Sequence, residues 1–382
     1  MRTVLRLWTH LPELAGLAFA VGIQFQLARW VLEAPAARRV RYGVWLAAAL
    51  AGTLVVFGVF ANLPSSPFPP TWTVYWLRGG GLAWALASAV TFFSVLLLRR
   101  VPRFRPDRRG FLRAAGGAFV AAPFAALGYG TFIERNRLTL REVDLAIPNL
   151  PRDLNGLRLV QLSDIHLSPY LSERELARAV DMANGLRAHI ALITGDLITG
   201  RGDPLDACLR QLARLRSDAG IYGCLGNHEV YAHAEEAATI GGARLGIRFL
   251  RSQSQQFRFG NATLNMAGVD YQRSGRPYLV GAERFVVPGL TNVLLSHNPD
   301  VFDVAARQGY GLTISGHTHG GQITVEILDQ SLNFARFYTP YIYGVYRHGP
   351  ASVWVTRGIG TVGIPARIGA PPEVALIRLC AT

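Results

Sequence analysis

Apolar residues fall into two patterns along the chain. Up to residue 132 they form long runs, Leu14 to Val31, Val44 to Ala61, Leu82 to Leu98 and Phe111 to Phe132, each near the roughly 20 residues that cross a bilayer. Gln24, Gln26 and Arg29 interrupt the first. Four such runs in succession predict four transmembrane helices and argue against buried core helices. From about Asn155 the runs shorten to strand length: Leu157 to Leu162, Ile190 to Ile193, Ile221 to Leu225, Val293 to Leu295 and Leu312 to Ile314. Between them lie amphipathic stretches. Ser172-Glu173-Arg174-Glu175 is a capping-box-like start for a helix to about Leu186, and a second helix is expected near Pro204 to Arg216. Strand and helix alternate as in α/β folds. From Arg248 strands predominate, among them Arg258 to Gly260, Thr263 to Ala267, Ile323 to Ile327 and Ser352 to Thr356. The polar stretch Glu134 to Asn155, with Pro148, Pro151 and Asn155-Gly156, reads as an entry strand and a turn. The expected boundaries are 1–132 for an all-α membrane anchor, 133–156 for the linker and entry strand, and 157–382 for a second domain.

Charge follows the same division. Residues 1–150 hold 17 Arg against 6 acidic residues, a difference of +11, and the remainder holds 22 against 19, or +3; together these give the chain's +14. The basic excess therefore belongs to the membrane part, where it serves topology, and no nucleic-acid partner is expected. Arg38, Arg39 and Arg41 follow the first run; Arg99, Arg100, Arg103, Arg105, Arg108 and Arg109 follow the third. The connection between the second and third runs, Asn62 to Thr73, is uncharged and rich in Pro and Ser. Both Arg-rich connections are thus expected in the cytoplasm and the second domain outside it, anchored in a bacterial inner or plasma membrane. Arg2 and Arg6 count against this orientation. Asp107-Arg108-Arg109-Gly110-Phe111-Leu112-Arg113 resembles a twin-arginine export signal, which supports it. Cys208, Cys224 and Cys380 are too few and too scattered for a disulfide framework.

The chemistry lies at the ends of the short runs. After them come Ser163-Asp164-Ile165-His166, Thr194-Gly195-Asp196, Gly226-Asn227-His228-Glu229, Ser296-His297-Asn298 and Gly316-His317-Thr318-His319-Gly320-Gly321. Five strands thus deliver Asp, His and Asn to one edge, where open α/β sheets form their ligand crevice. Carboxylates, imidazoles and an amide oxygen suit Zn, Mn, Fe or Mg. No P-loop, H-E-x-x-H or G-x-S-x-G motif competes with this set.

The ordered series D-x-H, G-D, G-N-H-E, H and G-H-x-H resembles the calcineurin-like metallophosphoesterase superfamily, over Leu157 to the end of the sequence. The tail, Thr356 to Thr361 and Ile364 to Glu373, is similar to its bacterial YkuE/YaeI-type branch. The resemblance implies an α/β (α+β) sandwich of two β-sheets flanked by helices, and two divalent metal ions. It implies Asp196 as the bridge, with Asp164, His166 and His319 at one ion and Asn227, His297 and His317 at the other. His228 becomes the transition-state stabiliser or proton donor, with Glu229 either orienting its imidazole or only capping a helix near Ala232. His189, His233 and His348 match no motif position, and Arg201, Tyr231, Gln322 and Arg367 stay outside the expected site.

The expected activity is hydrolysis of a phosphoester or pyrophosphate bond, with a lipid-linked substrate favoured because the anchor concentrates the enzyme at the bilayer. The branch resemblance suggests UDP-diacylglucosamine pyrophosphatase activity in lipid A synthesis as an alternative, whose substrate sits at the cytoplasmic face and conflicts with the expected topology. A non-catalytic membrane sensor of a phosphorylated ligand is the alternative from another class; a lost ligand would favour it, and every motif position is intact.

Overall fold

A computed structural model describes residues 11–33, 35–61, 68–69, 71–100, 109–327 and 330–382. Arg2, Arg6, Arg103, Arg105, and Asp107 and Arg108 at the start of the export-like motif, lie outside the described residues. The chain divides into two compact units, Met1–Phe132 with Gly363–Ala366, and Ile133–Val362 with Arg367–Thr382.

The first unit consists of α1 (Leu11–Val31), α2 (Arg38–Ala61), α3 (Trp72–Arg100) and α4 (Arg109–Phe132). All four are long and apolar enough to cross a membrane. They extend past the apolar runs. Arg38, Arg39 and Arg41 fall in the first turn of α2, not in a connection, and Arg99 and Arg100 end α3. Long basic side chains tolerate such positions because their heads reach water from a helix end. Helix α3 begins ten residues before the run at Leu82, taking in Arg78, whose guanidinium sits 3.7 Å from the centroid of the Tyr75 ring. Gln24, a polar interruption in α1, faces inward: its Oε1 accepts from Trp84 Nε1 at 2.9 Å and Ser88 Oγ at 3.3 Å. At the crossing of α2 and α3 backbone meets backbone, since a Cβ added to Gly81 would collide with the Leu54 carbonyl oxygen and one on Gly58 would meet that of Arg78 at 2.9 Å. Small residues at such crossings let dispersion contacts hold helices together in lipid.

The second unit is built on two mixed six-stranded sheets. The first runs in the order β1 (Thr139–Ile147), β14 (Glu373–Ala381), β2 (Arg158–Leu162), β3 (Ile190–Thr194), β4 (Ile221–Cys224), β5 (Ile247–Phe249). Strands β2 to β5 are parallel, and β14 is parallel to β1 but antiparallel to β2. The second sheet runs β12 (Gly344–His348), β13 (Ala351–Val355), β9 (Leu312–Ser315), β8 (Thr291–Leu295), β7 (Ala262–Gly268), β6 (Gln253–Phe259). Strands β7, β8, β9 and β13 are mutually parallel. A hairpin, β10 (Thr324–Ile327) and β11 (Gln330–Asn333), stands apart.

Strand alternation builds the layers. Leu159, Ile190 and Leu192 join Leu264, Met266, Val293, Ile314 and Trp354 in the core between the sheets. Val160, Leu162, Ala191 and Ile193 face the other way, against residues of α5 (Glu173–Gly185) and α6 (Leu205–Leu212), such as Leu176, Val180 and Leu209. Burial on both faces explains why these strands read as unbroken apolar runs. Helix α5 starts with the expected capping box, Ser172 with Glu175. Inside the sandwich Gln161 bridges the sheets: its Nε2 donates to Thr194 Oγ1 (2.7 Å) and the Ser315 carbonyl (3.1 Å), and its Oε1 accepts from Trp354 Nε1 (2.9 Å). Strand β6 is longer than the expected Arg258 to Gly260 and ends before Gly260, because Gln253 to Gln256 gives no apolar signal at this sheet edge. The helix expected to begin near Ala232 is in fact two, α7 (Asn227–Ala232) and α8 (Glu235–Arg244), with Gly226 as the N-cap of the first. Helix α9 (Phe302–Gln308) packs outside the second sheet, with Ala305 in its small core.

A candidate metal centre

Each of the seven expected ligands sits just beyond a strand. Asp164 and His166 follow β2, Asp196 follows β3, Asn227 opens α7 after β4, His297 follows β8, and His317 and His319 follow β9. Because these strands are parallel within each sheet, their carboxyl ends share an edge. The two Asp and four His side chains meet there. His297 Nε2 lies 3.0 Å and His166 Nε2 3.5 Å from Asp196 Oδ2. His166 Nε2 and His319 Nε2 are 3.2 Å apart, as are His317 Nδ1 and His297 Nε2, and His319 Nε2 is 3.6 Å from Asp164 Oδ1. Ligand atoms cluster as Asp164, His166 and His319; as Asp196, His297 and His317; and as His166, Asp196 and His228. The third cluster brings His228 against the first, its ring 4.6 Å from that of His166.

The backbone gives these side chains their aim at a cost. Asp164 (φ 49), His166 (φ 49), Asp196 (φ 55), His317 (φ 77) and His319 (φ 54) are all left-handed, each a departure of order 1 kcal/mol or more. Neighbouring loops hold them there. Asp164 N donates to the Gly195 carbonyl (3.1 Å), His166 N to that of Asp196 (2.9 Å), and His317 N to Asp164 Oδ1 (2.8 Å). Gly226 leaves no room for a side chain, since a Cβ would collide with Asp196 Oδ1.

Hydrogen bonds also set the imidazole tautomers. His297 Nδ1 donates to the Thr194 carbonyl at 2.7 Å, which leaves its Nε2 facing Asp196. His228 Nδ1 donates to the Thr199 carbonyl at 2.5 Å, and its backbone N donates to Asp196 Oδ1 at 2.9 Å. Such outer partners orient metal ligands.

Burial without solvent governs the protonation states. It pushes the Asp164 carboxyl up to about 6. It drives His166 and His319 well below the ordinary histidine range and His317 down to about 4, keeping three imidazoles neutral. Burial opposes charge on Asp196 and His297 as well. There mutual attraction, with His228 and His166 adding to it, wins: Asp196 is held well below the usual carboxylate range and His297 rises to about 10. Two buried oxygens, Asp164 Oδ2 and Asn227 Oδ1, have no hydrogen-bond partner among the described residues. Buried polar atoms are seldom left so, and at the centre of neutral imidazoles and carboxylates these two are donors fit for a cation.

Several contributors carried no sequence signal beyond their position. Glu229 does not orient His228. Its Oε2 accepts from Gly226 N (2.7 Å) and Asp196 N (3.0 Å), and its Oε1 from Leu197 N (2.7 Å), so it both holds the N-cap backbone of α7 and clamps the loop after β3. Arg367 is fully buried and does not face a cleft. Its guanidinium donates to the carbonyls of Gly360, His319 (3.2 Å) and Ala370 (3.1 Å) and lies 3.3 Å from His319 Nδ1, and burial lowers it to about 10. Gln322 exchanges two hydrogen bonds with the Val362 backbone. Next to the cluster is a cavity of about 370 Å³ lined by His317, His319, Gln322, Tyr338 and Thr339. His189 accepts from Arg158 N, His233 terminates α7, and His348 pairs with Asp303 at 2.9 Å, all elsewhere. The three cysteines are free, and Cys208 and Cys224 are buried.

A sandwich of two mixed sheets that gathers Asp, Asn and His at the ends of parallel strands offers donors suited to divalent metal ions. Residues 157–321 match the calcineurin-like phosphoesterase family model. Over that stretch the chain is similar to calcineurin-like metallophosphoesterases, and it spans about half the length of the first curated relative it matches. It is 32% identical over 252 residues to the "Transmembrane protein with metallophosphoesterase domain" of Danio rerio, a match covering 62% of this chain and 56% of that one. It is 26% identical to the "Uncharacterized metallophosphoesterase YkuE" of Bacillus subtilis, over 72% of this chain and 98% of that one. Among solved structures it resembles the Haemophilus influenzae NAD nucleotidase at a TM-score of 0.38 and 14% identity, over 53% of this chain and 45% of that one. With relatives that are transmembrane proteins and four apolar helices of its own, the protein is membrane-associated.

Proposed function

We propose that the protein is a dinuclear-metal phosphohydrolase that cleaves a phosphoester or pyrophosphate bond in a lipid-linked substrate. The observation that carries this reading is the meeting of Asp164, His166, Asp196, His297, His317 and His319 in overlapping clusters of ligand atoms, together with the unpartnered oxygens of Asp164 and Asn227. One divalent ion would be held by Asp164, His166, Asp196 and His319, and the other by Asp196, Asn227, His297 and His317, with Asp196 shared. Mn, Fe, Zn and Mg all suit such ligands. When bound, such ions polarise a phosphoryl group and supply hydroxide at neutral pH.

The residues do the rest. Thr194 and Thr199 accept the Nδ1 protons of His297 and His228 through their carbonyls, so the Nε2 atoms serve the site. A proton on His228 Nε2 makes an imidazolium that donates to the departing oxygen. Neutral His166, His317 and His319 and the neutral amide of Asn227 keep the loaded site attractive to an anion. The membrane anchor favours a substrate that shares the bilayer.

The test is hydrolysis by the full-length protein in detergent, with Mn, of bis-para-nitrophenyl phosphate and of lipid-linked pyrophosphates, UDP-diacylglucosamine included. Asp196→Ala should abolish turnover and His228→Ala reduce it by roughly 10²-fold or more. A wild-type protein that binds metal and turns over none of these substrates would refute the reading and favour a sensor.

A further inference from the structure

Behind the turn that carries His317 and His319 lies a second cavity, of about 490 Å³. Gly320 and Asn333 line it with Arg336, Tyr343 and Arg357. The turn leaves room for it in a specific way. A Cβ on Gly320 (φ 62) would meet Arg357 Cγ at 2.7 Å, and one on Gly321 (φ 81) would meet Asn333 Cγ at 2.7 Å. Arg357 and Asn333 therefore rest directly on the backbone that presents the two histidines.

Arg357 is positioned by buried groups. Its guanidinium stacks 3.9 Å from the centroid of the Tyr343 ring. The Tyr343 hydroxyl donates to Glu373 Oε2 at 3.3 Å, and Glu373 Oε1 accepts from Thr356 Oγ1 (2.8 Å) and Arg357 N (3.1 Å). Glu373 is 1% exposed, and its oxygens are engaged by these donors. It fixes the ring and the backbone under the guanidinium without pairing with it, and the guanidinium forms no ion pair among the described residues. A planar, permanently charged fork held over a cavity is suited to an oxyanion. Thr339 lines both this cavity and the one beside His317 and His319.

We infer that this cavity is an anion subsite, in which Arg357 holds a second phosphate of the substrate whose first phosphoryl group is at the metal centre. The inference rests on the phosphohydrolase reading and narrows it to substrates with more than one phosphate, such as a diphosphate. The residue signal is the arginine of Thr356-Arg357-Gly358, which the proposed hydrolytic centre does not use.

Farnesyl diphosphate and farnesyl monophosphate, matched but for one phosphate, can be compared as competitive inhibitors of bis-para-nitrophenyl phosphate hydrolysis by the full-length, Mn-loaded protein. The monophosphate-to-diphosphate ratio of inhibition constants should fall about tenfold in Arg357→Met, which keeps the stem against Gly320 and loses the charge. Arg357→Lys should retain much of the ratio. If the Met variant has no turnover, calorimetric binding of inorganic pyrophosphate against phosphate reads the same ratio. A ratio unchanged in Arg357→Met overturns the subsite while leaving the hydrolase standing. Absence of reporter turnover by the wild type overturns the hydrolase, and the subsite with it.

Discussion

At the scale of single residues, Asp196 and His297 set the charge balance of the site. His297, raised to about 10 from an ordinary value near 6.5, contributes stability that is complete below pH ~6.5 and lost as pH rises through about 10. Asp196, held low, contributes stability that is present above pH ~4 and lost on acidification. Chelator-treated protein should therefore lose thermal stability between pH 6.5 and 10, and His297→Asn should start lower and stay flat across that window. A wild-type Tm unchanged from pH 6.5 to 10 would contradict the ion pair. Bound metal must displace the His297 proton, so saturating Mn should raise Tm more at pH 9 than at pH 6. Glu229 gives a separate prediction. Glu229→Ala strips three buried N–H groups of their acceptor, and a denaturant melt should show a loss on the order of 3 kcal/mol. If activity falls with stability intact, Glu229 acts on His228 after all.

At the scale of elements, what could be read from the sequence was what each element carries in its own residues. The five strands before the motifs were readable because both faces are buried, and α5 because Ser172 and Glu175 announce its start. The candidate donors could be picked out because their chemistry is in the side-chain identities. What was hidden depends on partners distant in sequence. The three donors to Glu229 include Asp196 and Leu197, on another loop. The support that Arg367 gives to His319 spans 48 residues, and Gln161 meets its partners only when two sheets face each other. Nor does the sequence announce left-handed backbone at His166, His317 and His319. In the anchor, the glycine crossing of α2 and α3 makes Gly81→Leu the substitution most damaging to the bundle. It should lower the yield of folded, monodisperse protein in detergent, whereas substitution of exposed Leu46 on α2 by Ala should not.

At the scale of the whole molecule, the helix ends bear on orientation. Arg38, Arg39 and Arg41 open α2, and Arg99 and Arg100 close α3. Arg99 pairs with Glu33, just beyond α1, at 2.6 Å, which puts these ends on one side. If that side is the cytoplasm, as the positive-inside rule expects, an alkaline-phosphatase fusion after residue 382 should be active, with the matching green fluorescent protein fusion dark. The opposite result would turn the anchor over and bring the cytoplasmic alternative for the substrate back into play. Strand β14 has a further consequence. It lies between β1 and β2, closing a sheet whose other strands are made long before it. The four helices and every candidate donor are made before that slot is filled, and until then Leu145 and Leu159 lack their neighbours Leu379 and Ile377. An interrupted synthesis thus leaves a recognisable object for proteolysis, and only molecules translated through Ala381 can close the sheet beneath Asp164 and Asp196.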